Sequence, residues 1–322
     1  SPSRGLGEVY KRQILFLLIG CKKNEQPINN FITVDITANY PKKEMILQDF
    51  MDVEYIPLET KDDFICQGLV LAIGKDIILA RNRIRDGDIF IYDRKTGKGL
   101  KKINREGQGG EEYTFIQRIV LDEKQNEIFV LDHFSRKISV YDLDGNFKRS
   151  LKRGDELYFF HLYNFNQTNF ITNNYWVTEK PAFTIISKQD GTTKQIQIPF
   201  KEKISMAVNY SDKAKDIYYN VIPDNYNPII PYFDCWVLVE QSSDTVYKYQ
   251  SDHKMIPIIA RTPSVQSMNP EVFLFLGILT NRYYFMETVK KEYNFETHEG
   301  FPTTDLLYDK QEKAIFEYIV YN

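Results

Sequence analysis

Three cysteines, two tryptophans and four histidines are all that 322 residues contain of these types, and each scarcity removes a class of protein. A disulfide-stapled miniprotein needs many paired cysteines to replace a core, and this chain cannot supply them. The histidines, His133, His161, His253 and His298, share no HxxxH or HExxH spacing and have no cysteine pair beside them. A zinc site built from one local segment is therefore excluded, although one assembled from distant segments is not. Charge of one sign is also lacking, since 41 Lys and Arg stand against 44 Asp and Glu for a net charge of −3, without long runs of either. No nucleic-acid partner held by phosphate contacts is expected. No apolar run is long enough to cross a bilayer as a helix. What is abundant is aromatic: 22 Tyr and 22 Phe within 43% hydrophobic residues are enough for a large core and argue against disorder.

The amino terminus reads as an export signal. Lys11 and Arg12 precede the apolar run 14–19 (ILFLLI), then Gly20, Cys21 and the polar run 22–26 (KKNEQ). A basic flank, a short apolar stretch and a small residue before a boundary are the parts of a secretory signal. Residues 18–21 (LIGC) also resemble a bacterial lipobox, in which the Cys21 thiol is acylated and becomes the first residue of the mature chain. Several acyl chains on one cysteine hold a soluble domain firmly at a membrane surface. The expected division is a signal peptide over 1–20, its first ten or so residues fitting the pattern poorly, a lipidated Cys21 with a linker over 21–43, and one folded domain over 44–322. Cys66 and Cys235 remain; an exported chain can pair them, but isolated cysteines in β-rich cores are more often free and buried.

Beyond residue 44 the pattern is β and it repeats. Short runs rich in Ile, Val, Tyr and Phe alternate with Asp, Asn and Gly turns, the signature of strands joined by hairpins. The residues before five such turns, Tyr92, Tyr141, Ser187, Tyr249 and Tyr308, are spaced by 49, 46, 62 and 59. A period of about 40 to 50, with inserts in the later units, predicts the four-stranded blades of a β-propeller. The expected core between blades draws on Ile89, Ile91, Ile119, Val120, Ile128, Val130, Ile138, Val140, Ile185, Trp236, Leu238 and Val246. Residues 269–277 are the one stretch with a helical look. The chain stops at 319–322 (IVYN), inside what reads as a strand, so the expected last blade is cut short.

Four segments carry a more specific likeness. Residues 47–60 (LQDFMDVEYIPLET) resemble the opening strand of the six-bladed β-propeller lipoproteins of Bacteroidales envelopes, an NHL- or TolB-like family. Residues 107–113 (GQGGEEY) resemble that family's blade-linking GQGPGEY loop, with Gly110 and Glu111 where Pro and Gly are usual. Residues 128–132 (IFVLD) and 138–145 (ISVYDLDG) are similar to its NHL-like blade, and 243–249 (SDTVYKY) to a later one. The resemblance implies an all-β, six-bladed propeller of four-stranded antiparallel blades and an envelope address, and it implies little chemistry. Lys22 and Lys23 lack the acidic cluster associated with surface export in such bacteria, which points to an outer-membrane lipoprotein facing the periplasm.

Motifs for chemistry are weak when taken one at a time. The glycines of residues 107–113 have neither GxGxxG spacing nor a following Gly-Lys-Ser/Thr, and Glu111 and Glu112 would repel phosphate; a structural turn is the better reading. Residues 142–146 (DLDGN) place Gly at position 4 of the loop, where an EF-hand needs it at 6. No Ser sits in G-x-S-x-G, and Cys66 has no basic neighbour to activate it, so no catalytic, cofactor or metal residue is nominated. Glu111, Glu112, Asp132 and Asp155 are carboxylates at expected blade ends, and His133 stands where a strand meets a mouth of the ring. The aromatic stretches 158–165 (YFFHLYNF) and 218–233 suit ring stacking at a propeller mouth, or simply the core. Asp244, Thr245 and Val246 resemble an O-glycosylation acceptor, though a threonine there fits a strand equally.

The expected function is a membrane-anchored envelope lipoprotein whose monomeric propeller serves as a ligand- or protein-binding scaffold without a cofactor. Its partners would be a protein or a glycan, and the membrane through its lipid. One alternative is a metal-dependent hydrolase or lyase of the NHL- or lactonase-like kind, with a divalent ion such as calcium on the central axis; three or more Asp, Asn, Glu or His side chains converging there would mark it. Another is an accessory subunit of a glycan-uptake assembly, marked by an aromatic platform on one face.

Overall fold

The computed structural model describes residues 31–83, 86–152, 161–173 and 182–321. The signal and Cys21, together with Asp155 and Tyr158 to Phe160, lie outside the described residues. Two short strands come first, β1 (Ile32–Asp35) and β2 (Lys42–Ile46). The first sheet contains β3 (Leu69–Ile73), β4 (Ile77–Arg81), β5 (Asp88–Asp93) and β6 (Gly99–Asn104). The second contains β7 (Ile116–Asp122), β8 (Glu127–Asp132), β9 (Lys137–Asp142) and β10 (Phe147–Lys152). The third contains β11 (Leu162–Asn164), β12 (Asn169–Asn173), β13 (Phe183–Ser187) and β14 (Thr193–Ile196). A hairpin of β15 (Val208–Asp212) and β16 (Ile217–Val221) precedes the fourth sheet, β17 (Ile229–Tyr232), β18 (Cys235–Leu238), β19 (Thr245–Gln250) and β20 (Met255–Thr262). The fifth begins with β21 (Val272–Leu279) and β22 (Tyr283–Lys290), admits a small hairpin of β23 (Tyr293–Asn294) and β24 (Glu299–Gly300), and ends with β25 (Thr303–Asp309) and β26 (Ala314–Tyr321).

Each sheet runs antiparallel in chain order, and the first strands of neighbours adjoin, β3 with β7, β7 with β11 and β17 with β21. The amino-terminal strands add a fifth, parallel strand to the last two sheets: β1 pairs with β20 and β2 with β26. β1 thus falls within the stretch expected to be linker. All five turn positions read from the repeat close the third strand of a sheet, and the two longer spacings contain the hairpins β15–β16 and β23–β24. The helical look of residues 269–277 is misleading. Pro270 follows a cis peptide bond and β21 begins at Val272, because the run Val272 to Leu276 is β-branched or bulky and packs as strand.

Period-2 alternation explains how the sheets stack. In β8 every residue is buried: Ile128 and Val130 join Tyr141 of β9 in facing Ile89 and Ile91 of the first sheet, while Phe129 and Leu131 face the third with Phe170 and Ile186. Phe129 meets Phe170 edge-on at 4.8 Å, worth about 1 kcal/mol beyond burial itself. The third sheet turns Ile171 and Ile185 toward Leu238 of the fourth, whose Val237 and Val246 meet Leu274 and Met286 of the fifth. Eleven of the twelve expected core residues are buried, and Trp236 is the exception.

The outer faces of the first and fifth sheets are covered by the chain between β2 and β3. Ile56, Leu58, Phe64 and Cys66 pack on Ile78, Phe90 and Tyr92, while Phe50 packs on Tyr283 and Phe285. Glycine permits the first contact. Gly97 adopts φ +70°, and a Cβ there would come within 2.0 Å of the Pro57 carbonyl oxygen. Charge secures the other end. The buried Asp309 carboxylate accepts from Lys43 Nζ (3.0 Å), Arg282 Nη2 (3.0 Å) and the Gln311 N–H (2.9 Å). Burial pushes its pKa up, but Arg282, then Lys43 and the backbone donors outweigh that and hold it well below the usual carboxylate range.

Two outcomes are expected in urea unfolding. Gly97→Ala should lose at least about 2 kcal/mol, since it combines a left-handed φ with a backbone clash. Asp309→Asn should lose about 3 kcal/mol at pH 7, because two cations lose a desolvated partner. The depressed pKa of Asp309 contributes stability that is present above about pH 4 and is lost as pH falls toward the folded-state value. The Asn variant should accordingly show a shallower loss of stability between pH 5 and pH 2 than the parent; an equal slope would refute the assignment.

Candidate functional site

Where the first strands of the sheets adjoin, the chain leaves a pocket of about 310 Å³ on the axis. Two of these strands are bulged beside it: β3 shifts register between Val70 and Ala72, and β7 between Ile116 and Arg118. A bulge places one extra residue opposite its partner strand and re-aims the neighbouring side chains. One wall is aliphatic, from Leu71, Ala72 and Ile73 of β3. The facing wall carries Arg118 of β7, His161, Tyr163 and Asn164 at β11, and Trp236 of β18.

These groups hold one another. Arg118 Nη2 lies 3.3 Å from His161 Nδ1. A guanidinium has no acceptor, so Nδ1 must accept and the imidazole proton sits on Nε2. Burial, and then the Arg118 charge, lower the His161 pKa from its ordinary value, which keeps the ring neutral at pH 7. The His161 and Tyr163 rings are nearly parallel, 11° apart in plane with centroids at 6.0 Å, and Trp236 sits 5.6 Å from Tyr163. Trp236 Nε1 donates to the Phe165 carbonyl at 3.3 Å, and the Asn164 amide donates to Leu121 O, tying β11 to β7. Burial raises the Tyr163 phenol, so it stays a neutral donor and acceptor. Arg118 is the sole formally charged residue among the described residues that line the pocket.

A second pocket of about 410 Å³ opens at the turn end of the second to fourth sheets, beside Asp122, Asn166, Lys188 and Asp234. Lys188 is its conspicuous group, buried and lowered in pKa by desolvation despite Asp122. Its Nζ donates to Asp122 Oδ2 (2.6 Å) and Asn166 O (2.8 Å) and lies over the Phe129 and Phe170 rings. This lysine is committed to joining two sheets. It is a tie and not a free amine.

The residues singled out from sequence are scattered. His133 packs against Phe115 and Phe134, His253 against Tyr249 and Phe165, and His298 occupies a turn at φ 58°. Asp132 is buried, with its carboxylate taken by the Thr114 hydroxyl and the N–H groups of Thr114, Phe134 and Ser135. Glu112 caps the Gly109 N–H, and the Glu111 carbonyl accepts from the Tyr141 hydroxyl, so the loop of residues 107–113 is a structural link between β6 and β7. The Asp142 carboxylate accepts from Asp144 and Asn146 as a turn. Cys66 is half-buried on the first sheet and Cys235 buried in β18, both free. Among the described residues, no three His, Cys, Asp or Glu side chains are placed to hold a metal.

Of the first aromatic stretch, His161 and Tyr163 reach the axial pocket while Phe165 joins the core. Trp236 and Arg118 were not legible as site residues. Trp236 sits in a strand like any core aromatic, and Arg118 is an ordinary surface arginine until β7 is folded beside β11.

Among solved structures, the chain is similar to a protein of Bacteroides fragilis described as exported, with a TM-score of 0.54 and 14% identity over 90% of this chain and 79% of that one. A protein of Bacteroides vulgatus from a family without assigned function gives a TM-score of 0.47 at 12% identity, over 81% of this chain and 83% of the other. A virginiamycin B lyase from Staphylococcus aureus gives 0.38 at 12% identity, over 78% and 70%. No curated protein sequence matches the chain. The first of these likenesses shows the fold alone, and the family is set by a match over residues 22–322 to a model described as a 6-bladed β-propeller: the chain belongs to that six-bladed β-propeller family.

Proposed function

We propose that this protein is an exported, membrane-tethered binding module that takes its ligand in the axial pocket. The observation that carries the reading is the convergence of Arg118, His161, Tyr163 and Trp236 on one pocket from three separate sheets. A pocket with one apolar wall and a few fixed polar groups is what a small-ligand site requires. The sheets that hold these groups are packed on both faces, so the pocket is largely pre-formed and little ordering opposes binding.

The address rests on the segment around Cys21 and on the exported Bacteroides fragilis protein that shares the fold. A diacylated Cys21 would anchor the propeller at the outer membrane, facing the periplasm. The metal-dependent hydrolase or lyase reading is not favoured, since the axial wall offers one imidazole and one amide and no carboxylate among the described residues. The accessory role in glycan uptake has one observation in its favour. Tyr210 and Tyr219 of the β15–β16 hairpin lie 5.3 and 6.1 Å from Phe295 and 6.2 Å from each other between centroids, with planes within 32°, and both tyrosines are exposed.

Saturation-transfer NMR with a mixture of monosaccharides and small aromatic acids should show ligands that compete for one site. Ala72→Phe, which fills the pocket from its aliphatic wall, should remove the transfer while leaving the thermal melt within a few degrees. Binding untouched by that substitution would place the ligand elsewhere and defeat the reading. For the tether, Cys21→Ser should abolish labelling by a fatty-acid analogue and release the protein from the membrane fraction; continued labelling would refute acylation at Cys21.

A further inference from the structure

We infer that the two inserted hairpins, β15–β16 and β23–β24, together form a binding site for a neutral oligosaccharide. The inference is independent of the axial pocket; it deepens the glycan reading, on which it rests, by giving it a site and a ligand class. Each hairpin is a two-stranded sheet of its own, outside the five larger sheets. Such a hairpin is marginal by itself, and among the described residues none of 208–221 joins an apolar core cluster. Its aromatic residues therefore serve something other than packing between blades.

Strand register builds a platform. Tyr210 stands directly opposite Tyr219, so period 2 places both rings on one face of the hairpin and Asn209, Asn220 and Tyr218 on the other. Asn209 Oδ1 accepts from Tyr218 Oη (3.1 Å) and Asn220 Nδ2 (2.8 Å), which fixes the polar face. On the aromatic face Phe295, from the turn of the other hairpin, lies 5.3 and 6.1 Å from the two tyrosines, themselves 6.2 Å apart. Three rings in a column would put the outer pair far beyond either neighbour; near-equal separations with planes within 32° spread them side by side instead. Tyr210 and Tyr219 stay 41% and 47% exposed. An aromatic face is negative at its centre, and the C–H bonds along one side of a sugar ring present positive edges to it.

The platform runs into a groove. Phe295 meets Tyr293 at 4.8 Å, and Tyr293 lines a groove of about 710 Å³ with Glu292, Asn294, Thr297 and Glu299. Gly300, opposite Tyr293, gives that ring its place, since a Cβ there would run into it. Asn294 Oδ1 accepts from the Glu296 N–H at 2.8 Å, which leaves the NH2 group as a donor. Glu292 and Glu299 can accept from hydroxyl groups, and no cation lines the groove among the described residues. An acidic chain would meet like charge there. Flat rings beside amide, hydroxyl and carboxylate groups suit uncharged sugars, which have a C–H face and a rim of hydroxyls.

Affinity electrophoresis of the whole chain tests this, in native gels cast with a neutral glucan, xylan, mannan or galactan, or with anionic polygalacturonate. At least one neutral gel should retard the protein, and polygalacturonate should not. Tyr219→Ala should weaken the apparent affinity about tenfold, and Tyr219→Phe should keep most of it, because the ring is used and not its hydroxyl. Tyr218→Ala, on the other face of the same hairpin, should leave retardation unchanged. Equal losses in Tyr218→Ala and Tyr219→Ala would reduce the rings to hairpin integrity, and equal retardation by polygalacturonate would contradict the charge argument; either overturns the inference. Retardation that survives Tyr219→Ala but is lost in Ala72→Phe would move the sugar to the axial pocket, overturning this site while the glycan reading stands. No retardation in any neutral gel would overturn both and leave the rings to a protein partner.

Discussion

Each of the five larger sheets described is apolar on both faces, and that constraint organises the rest. A sheet with one wet face can lie flat on a core. A sheet such as the second, in which β8 is buried at all six positions, must have a neighbour on each side. Repeating that demand along the chain stacks the sheets face to face and brings their first strands together around an axis. The demand has to end somewhere, and at the first and fifth sheets the chain between β2 and β3 answers it with Ile56, Leu58 and Phe64 on one and Phe50 on the other. The close approach at Gly97 and the ions around Asp309 are consequences of the same need to cover two end faces with one extended segment.

Buried charge in the structure is committed to partners on neighbouring strands and sheets. Glu127 is buried and receives Arg149 at 2.7 and 2.9 Å, Lys188 is closed off by Asp122 and Asn166, and Asp309 accepts from Lys43, Arg282 and the N–H groups of Gln311 and Glu312. These groups sit between sheets, where a desolvated charge without a partner would cost several kcal/mol. Arg118 differs in place, since it reaches the pocket lining and there meets the imidazole of His161.

Much of the architecture was legible because it is encoded locally. Alternation of Ile, Val, Tyr and Phe with turns such as Asp142 to Asn146 depends on neighbours one to five residues apart, and five such units could be aligned by eye. The inserted hairpins appeared only as longer spacings, since nothing in 208–221 says that it pairs with itself outside a sheet. Residues 269–277 misled because bulky residues flanked by Ser, Asn and Pro suit either period over so short a run, and contact with β22 decides it. The strand β1 was missed for a related reason: four residues carry almost no periodic signal, and its partner β20 lies more than two hundred residues away.

The site was legible only in fragments, and the reason is topological. Its groups stand at positions 118, 161, 163 and 236, on strands of three sheets that meet only when the axis forms. His161 and Tyr163 were marked by aromatic density, a property of composition. Nothing at the level of sequence distinguished their ring faces from that of Phe165, two residues on, which is buried against Ile171 and Tyr249. Period 2 puts residues 161, 163 and 165 on one side of β11, so the division among them arises at the strand's end, where Phe165 enters the turn and Trp236 bonds to its carbonyl. That bond orients the indole, the indole backs Tyr163, and Tyr163 backs His161, whose Nδ1 positions Arg118. The polar wall is thus a chain of contacts that begins in the core, and a propeller's rigidity reaches its mouth through side chains as well as through strands.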